Sequence, residues 1–581
     1  MTFRAPTRDL AFALKAAGHT ELMARAFPDL DEATVLAVLE AAAAFADGEL
    51  APLNRTGDLQ GARYENGRVT AAPGFADAYR HFVEQGWNSL SADPEHGGQG
   101  LPKAMELAVF EMIHAANMAF GLCPMLTQGA IEALALHGTE RQKRLILPKL
   151  VSGEWTGAMN LTEPQAGTDL AALTTRAEPD GAGGYRLTGQ KIFITWGDHD
   201  AADNICHLVL ARTPDAPPGV KGISLFLATK VEVKDDGSLG NLNDLRAGSI
   251  EHKLGIHGSP TCVMLFEGAQ AELVGDLGQG LPAMFVMMNA ARLQVGVQGV
   301  AIAERAFQQA LGFARERRQG RTAWEADGMI YGHPDVRRTL MLMKAKIEAA
   351  RGICLMTGVL ADLARLADGE DERAAARARQ ELLTPIAKAW STDLGVEAAS
   401  QGLQVHGGMG FIEETGAAQH YRDARIAPIY EGTNGIQALD LVGRKLRLNG
   451  GATLRRLCAE MAATADTLSG DPALAAVGQR LAAGVAALAR AADAVVAGDN
   501  IAALVTATPF LRLAGDVIGG WVLGRQALAA AGSDDPWLVA KGALARLYAS
   551  QVLSLAPGLA DSIVDDAVGD LEDTTAAALA G

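Results

Sequence analysis

One acidic residue, Glu431, lies where a carboxylate could act as a general base. It belongs to the short, turn-prone stretch Tyr430-Glu431-Gly432-Thr433, directly before the helical pattern GIQALDLVGRKL. Acids are common at such positions because negative charge stabilises the first turn of a helix, and composition alone favours this solvated interpretation. A carboxylate in water, with a pKa of about 4.3, is a weak base. Burial beside apolar groups would raise the pKa towards the range in which it could remove a proton.

Four further stretches have residue patterns suited to holding a ligand. They are AMNLTEPQAGTDL (158–170), GQKIFITWG (189–197), FARERRQG (313–320) and QVHGGMGF (404–411). The first is typical of a strand that ends in a proline-containing loop. The second alternates as a strand does, which predicts Ile192 and Ile194 on one face and Phe193 and Thr195 on the other. The sequence has no GxGxxG that follows a strand and opens a helix, so a Rossmann site is not supported.

The elements that must position these stretches follow the order helices, strands, helices. Apolar residues at three- and four-residue spacing predict helices at Glu32–Glu49, Pro73–Gln85, Lys103–Ala116 and Glu140–Leu150. Between residues 155 and 274, short β-prone runs alternate with Gly, Pro and Asp, as in an antiparallel β domain. Helical spacing resumes near residue 281, and LNGGATL after residue 447 predicts a break before a further Ala-rich helical unit.

This order predicts a mainly α chain with a central β domain, divided into five segments. They are an N-terminal extension (1–28), an α-helical domain (29–155), a β domain (156–276), a helical-bundle domain that carries Glu431 (277–447) and an additional helical domain (448–581).

Composition and charge exclude several classes of protein. A net charge of -17 and an acidic C-terminal run, SIVDDAVGDLEDTTAAALAG, argue against binding to nucleic acid phosphates. The five cysteines lie far apart without zinc-type spacing, so neither a disulfide framework nor a metal site is predicted. The apolar segment Ile501–Gly532 contains Pro and charged residues, which favours a buried helix over a membrane span. The N-terminus lacks a secretion signal, so we expect a cytoplasmic protein without stable membrane insertion.

Together and in this order, the chemistry-bearing stretches resemble those of the acyl-CoA dehydrogenase family, over roughly Asp29 to Leu446. The resemblance implies an N-terminal α-helical domain, a middle antiparallel β-barrel-like domain and a C-terminal four-helix bundle, here followed by an extra helical domain. It also implies FAD as cofactor and oxidation of an acyl-CoA to a trans-2-enoyl-CoA. The chain length, the N-terminal APTRDLAFAL and the extra unit look most like the branch that acts on 3-methylthiopropionyl-CoA.

The resemblance also assigns roles to individual residues. Glu431 would take the α proton, while its backbone N–H and a ribityl hydroxyl of FAD hold the thioester oxygen. FAD would contact Met159, Leu161, Thr162, Phe193, Thr195, Arg317, Gln319, Gln404, Gly407, Gly408 and Thr433. The acyl-CoA would contact Thr168, Met288, Arg292, Tyr430 and Gly432. Phe193 stands where the family commonly has Trp, and Thr168 where it often has Ser.

Partners follow from the same resemblance. Arg317, Gln319 and the glycines near Gln404 would bind the FAD pyrophosphate of a neighbouring subunit, which implies a homodimer or a dimer of dimers. Electron-transferring flavoprotein would be the electron acceptor.

Three alternatives stay open: an acyl-CoA oxidase that reduces oxygen, a medium- or long-chain fatty acyl-CoA dehydrogenase, and a DNA-associated member of the same superfamily. Membrane attachment through the additional unit is disfavoured because it shows no basic amphipathic face.

Overall fold

The computed structural model describes residues 3–325, 327–498, 500–565 and 579. Within these residues the chain forms two units: one contains residues 6–40 and 295–565, and the other contains residues 3–5 and 41–294. Except for residue 579, the acidic run from residue 566 to the C-terminus lies outside the described residues.

Helices dominate the chain before the β domain. They are α1 (Thr7–Ala16), α2 (His19–Ala26), α3 (Glu32–Phe45), α4 (Ala51–Gln60), α5 (Phe75–Glu84), α6 (Lys103–Ala116), α7 (Met118–His137), α8 (Glu140–Leu145) and α9 (Leu147–Ser152), with a hairpin of β1 (Arg63–Glu65) and β2 (Arg68–Thr70) after α4. The predicted helix at Lys103–Ala116 is confirmed. The predicted helix that starts at Glu32 ends at Phe45 and continues as a π-helical turn, and a proline in the first turn of α9 divides the predicted helix at 140–150.

Helix α7 is apolar on nearly every side and almost entirely buried. Among the described residues it is the one helix long and apolar enough to cross a membrane, but 83% of its most apolar window is buried inside the protein. A core helix of a folded domain passes the same test, so α7 is weak evidence for a membrane span. In the late apolar segment, Ala507–Ala529 forms a largely buried helix, as predicted, whereas Asn500–Val505 is a separate short helix in which Ile501, Leu504 and Val505 are exposed. A cytoplasmic location stays a prediction.

The β domain contains the strands β3 (Trp155–Asn160), β4 (Arg176–Pro179), β5 (Tyr185–Thr195), β6 (Asn204–Arg212), β7 (Ile223–Thr229), β8 (Val231–Val233), β9 (Leu239–Leu242), β10 (Leu245–Ile250) and β11 (Thr261–Val274). The pairs β11–β5, β5–β4, β4–β6, β6–β7 and β7–β11 return to the starting strand, which gives the predicted barrel-like closure. Most pairs are antiparallel, but β3 and β4 pair with β6 in parallel. The closed sheet surrounds buried apolar side chains, among them Leu187, Val209, Phe226 and Met264.

The helical bundle is built from the long helices α10 (Gly280–Glu316), α11 (Pro334–Leu366) and α12 (Glu370–His406), with the shorter α13 (Ala417–Ala424) and α14 (Asn434–Gly443). The predicted break follows at residues 445–451, where Asn449, Gly450 and Gly451 have positive φ. The additional helical domain consists of α15 (Ala452–Gly470), α16 (Ala475–Ala497), α17 (Asn500–Val505), α18 (Ala507–Ala529), α19 (Pro536–Gln551) and α20 (Ala556–Val564). Its α18 packs against α11, α12 and α14.

Helix α1 is tied to helices that lie far along the chain. The carboxylate of Asp9 binds Lys344 at 2.6 Å and Lys541 at 3.1 Å, and Lys541 also binds Glu348 at 2.7 Å. Burial opposes ionisation of Asp9, but the charges of the neighbouring lysines and Arg351 outweigh it and lower the pKa of this carboxyl. The N-terminal segment is therefore part of the packed structure.

Candidate active site

Glu431 lies in a tight turn that leads into α14. The backbone φ is 57° at Glu431 and 82° at Gly432, so two successive residues adopt the left-handed conformation. A non-glycine residue pays about 1–3 kcal/mol for such a conformation and keeps it only where its surroundings impose it. Thr433 ends the turn, because its hydroxyl accepts the Ile436 N–H at 3.2 Å and caps α14.

Two neighbouring ionisable side chains, Tyr430 and Glu431, lie on this turn. The carboxylate is half-buried, and its Oε2 atom is shielded from solvent. The Tyr430 hydroxyl donates a hydrogen bond to the side-chain oxygen of Gln298. Burial raises the pKa of Tyr430, and the negative charge of Glu431 raises it further. Tyr430 therefore stays protonated at neutral pH.

A buried lysine that the sequence patterns did not predict contacts the carbonyl groups of the turn. The Lys388 ammonium donates to the Gly432 carbonyl at 2.9 Å and to the Asn434 side-chain oxygen at 2.9 Å. The Gln437 amide reaches the carbonyls of Glu431 and Gly432, at 3.3 Å each. In the sequence, the one sign of this buried lysine is a single Lys within the apolar run LLTPIAKAW.

The additional helical domain packs against the helix that carries this lysine. The Trp390 indole N–H, in α12, donates to the Asp516 carboxylate in α18 at 2.9 Å, and the Tyr548 hydroxyl donates to the Asp516 carbonyl at 3.0 Å. Burial raises the pKa of Asp516, against the effect of the Trp390 hydrogen bond. Gly515 lets the Trp390 ring lie on α18, since a Cβ there would be 2.3 Å from two ring carbons.

We expect Gly515→Val to lower the free energy of unfolding by about 1–3 kcal/mol, because Trp390 must move and lose its hydrogen bond to Asp516. Chemical denaturation measures the change. Gly558→Ala, where nothing in the described structure lies within 4 Å of the new methyl group, is the matched control and should be neutral or stabilising. Equal stability of the two variants would show that the Trp390 contact contributes nothing.

A buried ion pair joins two of the predicted ligand-binding stretches in the β domain. The Lys191 ammonium binds the Glu163 carboxylate at 2.8 Å and the Leu161 carbonyl at 3.0 Å. Burial alone would raise the pKa of Glu163, but Lys191 and hydrogen bonds from Thr175 and Thr174 lower it to about 2. The sequence alone predicts no role for either charged residue.

The same region corrects the predicted strand pattern. The N–H of Ile192 donates to the Thr162 carbonyl at 2.9 Å. Opposite these residues the register of β5 on β11 shifts, and Phe193 has a φ of 60°. The bulge adds one residue to β5, so Lys191 and Ile194, three residues apart, are both buried, while Phe193 between them is 59% exposed. Trp196 is buried and donates its indole N–H to the Ala119 carbonyl at 3.2 Å.

The other predicted ligand contacts of the β domain differ in exposure. Met159, Thr162 and Thr195 are half-buried, whereas Leu161 is nearly buried and sits beside the Lys191 contact. Thr168 is exposed on the loop after β3. The structure thus brings residues 161–163 next to residues 191–193.

Two predicted substrate residues lie in the first half of α10. Met288 is buried. Arg292 is also buried, and its guanidinium lies 3.3 Å from the side-chain oxygen of Asn289 and 5.9 Å from the centre of the Phe285 ring. Arg292 is therefore not a solvated side chain at the edge of α10.

The stretches FARERRQG and QVHGGMGF come together at the ends of α10 and α12. Phe313 stacks on His406, with ring centres 4.5 Å apart. Near this contact, Arg317, Gln319, Gln404, Gly407 and Gly408 are all exposed. The backbone carbonyl of Arg317 accepts the Ile330 N–H at 2.8 Å, which fixes the chain while the guanidinium faces solvent.

Family models match four consecutive parts of the chain. They are the acyl-CoA dehydrogenase N-terminal domain (33–154), its middle domain (158–269), its C-terminal domain (278–446) and an acetyl-CoA dehydrogenase C-terminal-like domain (457–572). The 3-methylmercaptopropionyl-CoA dehydrogenase of Ruegeria pomeroyi is 48% identical over 570 residues, which is 95% of this chain and 96% of that protein.

Two solved structures have the same fold. Caenorhabditis elegans ACDH-11 in complex with C11-CoA has a TM-score of 0.79 at 22% identity and covers 99% of this chain and 96% of its own. An acyl-CoA dehydrogenase from Bacillus anthracis, complexed with FAD, has a TM-score of 0.75 at 22% identity and covers 94% of this chain and 90% of its own. These two structures show the fold, and the family models and the Ruegeria relative show that the chain belongs to the acyl-CoA dehydrogenase family and is an oxidoreductase.

Proposed function

We propose that this acyl-CoA dehydrogenase uses FAD and that Glu431 is the base that removes the α proton of the acyl-CoA. The observation that supports this role most directly is the left-handed turn at Glu431, which holds a partly shielded carboxylate directly before the capped start of α14. Strained backbone at a non-glycine residue is a feature of functional sites.

The side chains and backbone described above fit a flavin nucleotide. Phe193 presents an exposed ring face at the β5 bulge, where it could pack on an isoalloxazine ring. Among the described residues, no carboxylate lies within ion-pair distance of the exposed Arg317 guanidinium, which suits two-point binding of a pyrophosphate. No described atom lies within 4 Å of a Cβ built at Gly407 or Gly408, so the backbone there is open to close approach. Bound FAD would supply the acceptor for the β hydrogen, which leaves as a hydride.

The residues of the chain would carry out the proton chemistry. Glu431 takes the α proton, and the electrons of that C–H bond form the double bond as the β hydrogen leaves with its electron pair. By the family resemblance, the Glu431 backbone N–H donates to the thioester oxygen and stabilises the charge that develops there. Gly432 presents no side chain to the acyl group, and Tyr430 remains neutral beside the carboxylate.

For the substrate we propose 3-methylthiopropionyl-CoA, with methylthioacryloyl-CoA as product. The name and the 48% identity of the Ruegeria relative support this choice, as does the presence of Met288, whose polarizable thioether suits a sulfur-containing acyl chain. Flavin bleaching under anaerobic conditions, measured in parallel with 3-methylthiopropionyl-, butyryl-, octanoyl- and palmitoyl-CoA, tests it. Faster bleaching by octanoyl- or palmitoyl-CoA would instead favour a medium- or long-chain fatty acyl-CoA dehydrogenase.

We propose electron-transferring flavoprotein as the electron acceptor, as in the family. The test compares the rate at which substrate-reduced protein reduces electron-transferring flavoprotein with the rate at which it forms peroxide in air. Faster peroxide formation would assign the protein to the oxidases instead.

We also propose that the protein is a homodimer or a dimer of dimers. The surface beside Gly407 and Gly408 supports this, because Met409, Phe411 and Ile412 are 51%, 92% and 44% exposed there. Apolar side chains grouped in this way mark interaction surfaces. Light scattering gives the mass of the flavin-loaded protein, and a monomer at micromolar concentration would contradict the proposal.

We expect Arg317→Leu to raise the Kd for FAD by about 10- to 100-fold, since a charge-assisted hydrogen bond contributes about 1.5–3 kcal/mol. Flavin content after gel filtration and FAD titration of the apoprotein measure the loss. Arg318→Leu, which removes the neighbouring exposed arginine, is the matched control and should keep its flavin. Equal retention in both variants would contradict the pyrophosphate role of Arg317.

A further inference from the structure

The turn that carries Glu431 is held by a lysine whose own place is fixed within the helix bundle. Lys388 lies in α12 between Ala387 and Ala389, and all three residues are fully buried. Its ammonium donates to the Gly432 carbonyl and to the Asn434 side-chain oxygen, both at 2.9 Å. These two acceptors flank the end of the turn and come within three residues of Glu431.

Packing alone does not account for a lysine at this position. Lys is almost never fully buried unless its charge is paired or hydrogen-bonded, because moving an ammonium out of water costs several kcal/mol. A Leu or Met would fill the same space between the helices without that cost. The two hydrogen bonds to the turn need a donor that an apolar side chain cannot supply.

Asn434 also donates hydrogen bonds to α12, the helix that carries Lys388. Its amide nitrogen donates to the Ala389 carbonyl at 3.1 Å and to the Asp393 carboxylate at 2.8 Å. Asn434, the first residue of α14, is therefore bound to α12 through both the oxygen and the nitrogen of its side-chain amide. This amide links the Lys388 ammonium to the Asp393 carboxylate.

These contacts act on the strained part of the backbone. Glu431 and Gly432 have φ values of 57° and 82°, and the Gly432 carbonyl is the atom that Lys388 binds. Loss of this donor would let the two peptides relax towards ordinary conformations and would turn the Glu431 side chain. A misplacement of about 1 Å can lower the rate of a chemical step by about 10²-fold.

We infer that Lys388 is a positioning residue for the catalytic carboxylate. Its ammonium fixes the Gly432 carbonyl and the Asn434 amide, and so sets where the Glu431 carboxylate meets the α carbon. The inference rests on the proposed function, in which Glu431 is the base.

The test compares flavin-loaded Lys388→Met with wild type and with Lys445→Met. Lys445 is the matched control, because it is 7% exposed and binds Glu381 at 2.7 Å but does not contact the turn. Stopped-flow absorbance at saturating acyl-CoA gives the rate of flavin reduction, and the spectral shift with crotonyl-CoA gives a Kd for an enoyl-CoA. Flavin content and the thermal midpoint are measured on the same samples.

For Lys388→Met we expect flavin reduction to slow by about 10- to 100-fold, with the Kd for crotonyl-CoA and the flavin content within about threefold of wild type. Lys445→Met should reduce its flavin at the wild-type rate. A purely structural role would instead weaken flavin and ligand binding together, and that result would overturn the inference, as would a Lys388→Met rate within twofold of wild type.

If Lys388→Met does not accumulate as a flavoprotein, Asn434→Ala removes the second acceptor while leaving the lysine in place. For Asn434→Ala we expect slower flavin reduction, by a smaller factor, with the Kd for crotonyl-CoA and the flavin content again nearly unchanged. Flavin reduction at the wild-type rate would overturn the inference. Failure of wild-type protein to bleach with any acyl-CoA contradicts the proposed function itself, and so the two failures are distinguishable.

Discussion

Glu431→Gln is expected to slow flavin reduction by acyl-CoA by up to about 10⁴-fold, the upper range of the contribution of a general base. The amide keeps the size and hydrogen-bonding reach of the carboxylate but cannot accept the α proton. The rate is measured by anaerobic stopped-flow absorbance of the flavin at saturating substrate, so that a change in binding does not contribute.

Glu414→Gln serves as the control for this substitution. Glu414 is an exposed acid on the segment between α12 and α13, and its replacement should leave the rate unchanged. A Glu431→Gln protein that reduces its flavin within tenfold of wild type would remove Glu431 from the mechanism.

The second large effect is a loss of stability when the buried ion pair of Glu163 and Lys191 in the β domain is broken. We expect Glu163→Gln to lower the free energy of unfolding by about 3–5 kcal/mol, because it leaves the Lys191 ammonium buried without its partner charge. FAD should be lost in parallel, since the Lys191 ammonium also holds the Leu161 carbonyl. Urea unfolding and flavin retention measure the two effects.

The same pair predicts how stability depends on pH. The pKa of Glu163 is lowered from 4.5 to about 2, so its contribution to the free energy of unfolding is fully present above pH 4.5 and is lost as the pH falls towards 2.

Glu267→Gln is the control for Glu163→Gln, because it breaks the exposed pair of Glu267 with Arg246 on the same sheet. It should lower the free energy of unfolding by less than about 1 kcal/mol. Equal costs for the two substitutions would show that the buried pair has no special role.

Sequence patterns predicted most of the architecture because hydrophobic periodicity and turn residues are local signals. The boundary of α6 and the breaks after α14, α15, α16 and α18 coincide with Gly, Pro and Asp clusters in the chain. Helix α7 escaped prediction because it is apolar on nearly all sides and so lacks a periodic polar face. The alternation predicted for GQKIFITWG failed at one bulge, which depends on the pairing of β5 with β11.

Some residues of the candidate site could be predicted from the sequence, and others could not. The stretch with Glu431 was recognisable by its resemblance to the family, because composition alone favoured a solvated acid, and the structure places it on a strained turn before a capped helix. Lys191 and Lys388 were not recognisable, because each is defined by a partner in another segment: Glu163 for Lys191, and Gly432 for Lys388. Periodicity predicts which positions are buried, but a buried charge is explained only when tertiary structure supplies its partner.

The removal of the α proton can be measured apart from the oxidation that follows it. An acyl-CoA with sulfur in place of the β carbon has no β hydrogen to transfer, yet it keeps α hydrogens next to the thioester. Incubated in D₂O with flavin-loaded wild-type protein, it should exchange those hydrogens for deuterium, as read by NMR, and with Glu431→Gln the exchange should fall to the rate without protein. Exchange at the wild-type rate in the Glu431→Gln protein would contradict the assignment of Glu431 as the base.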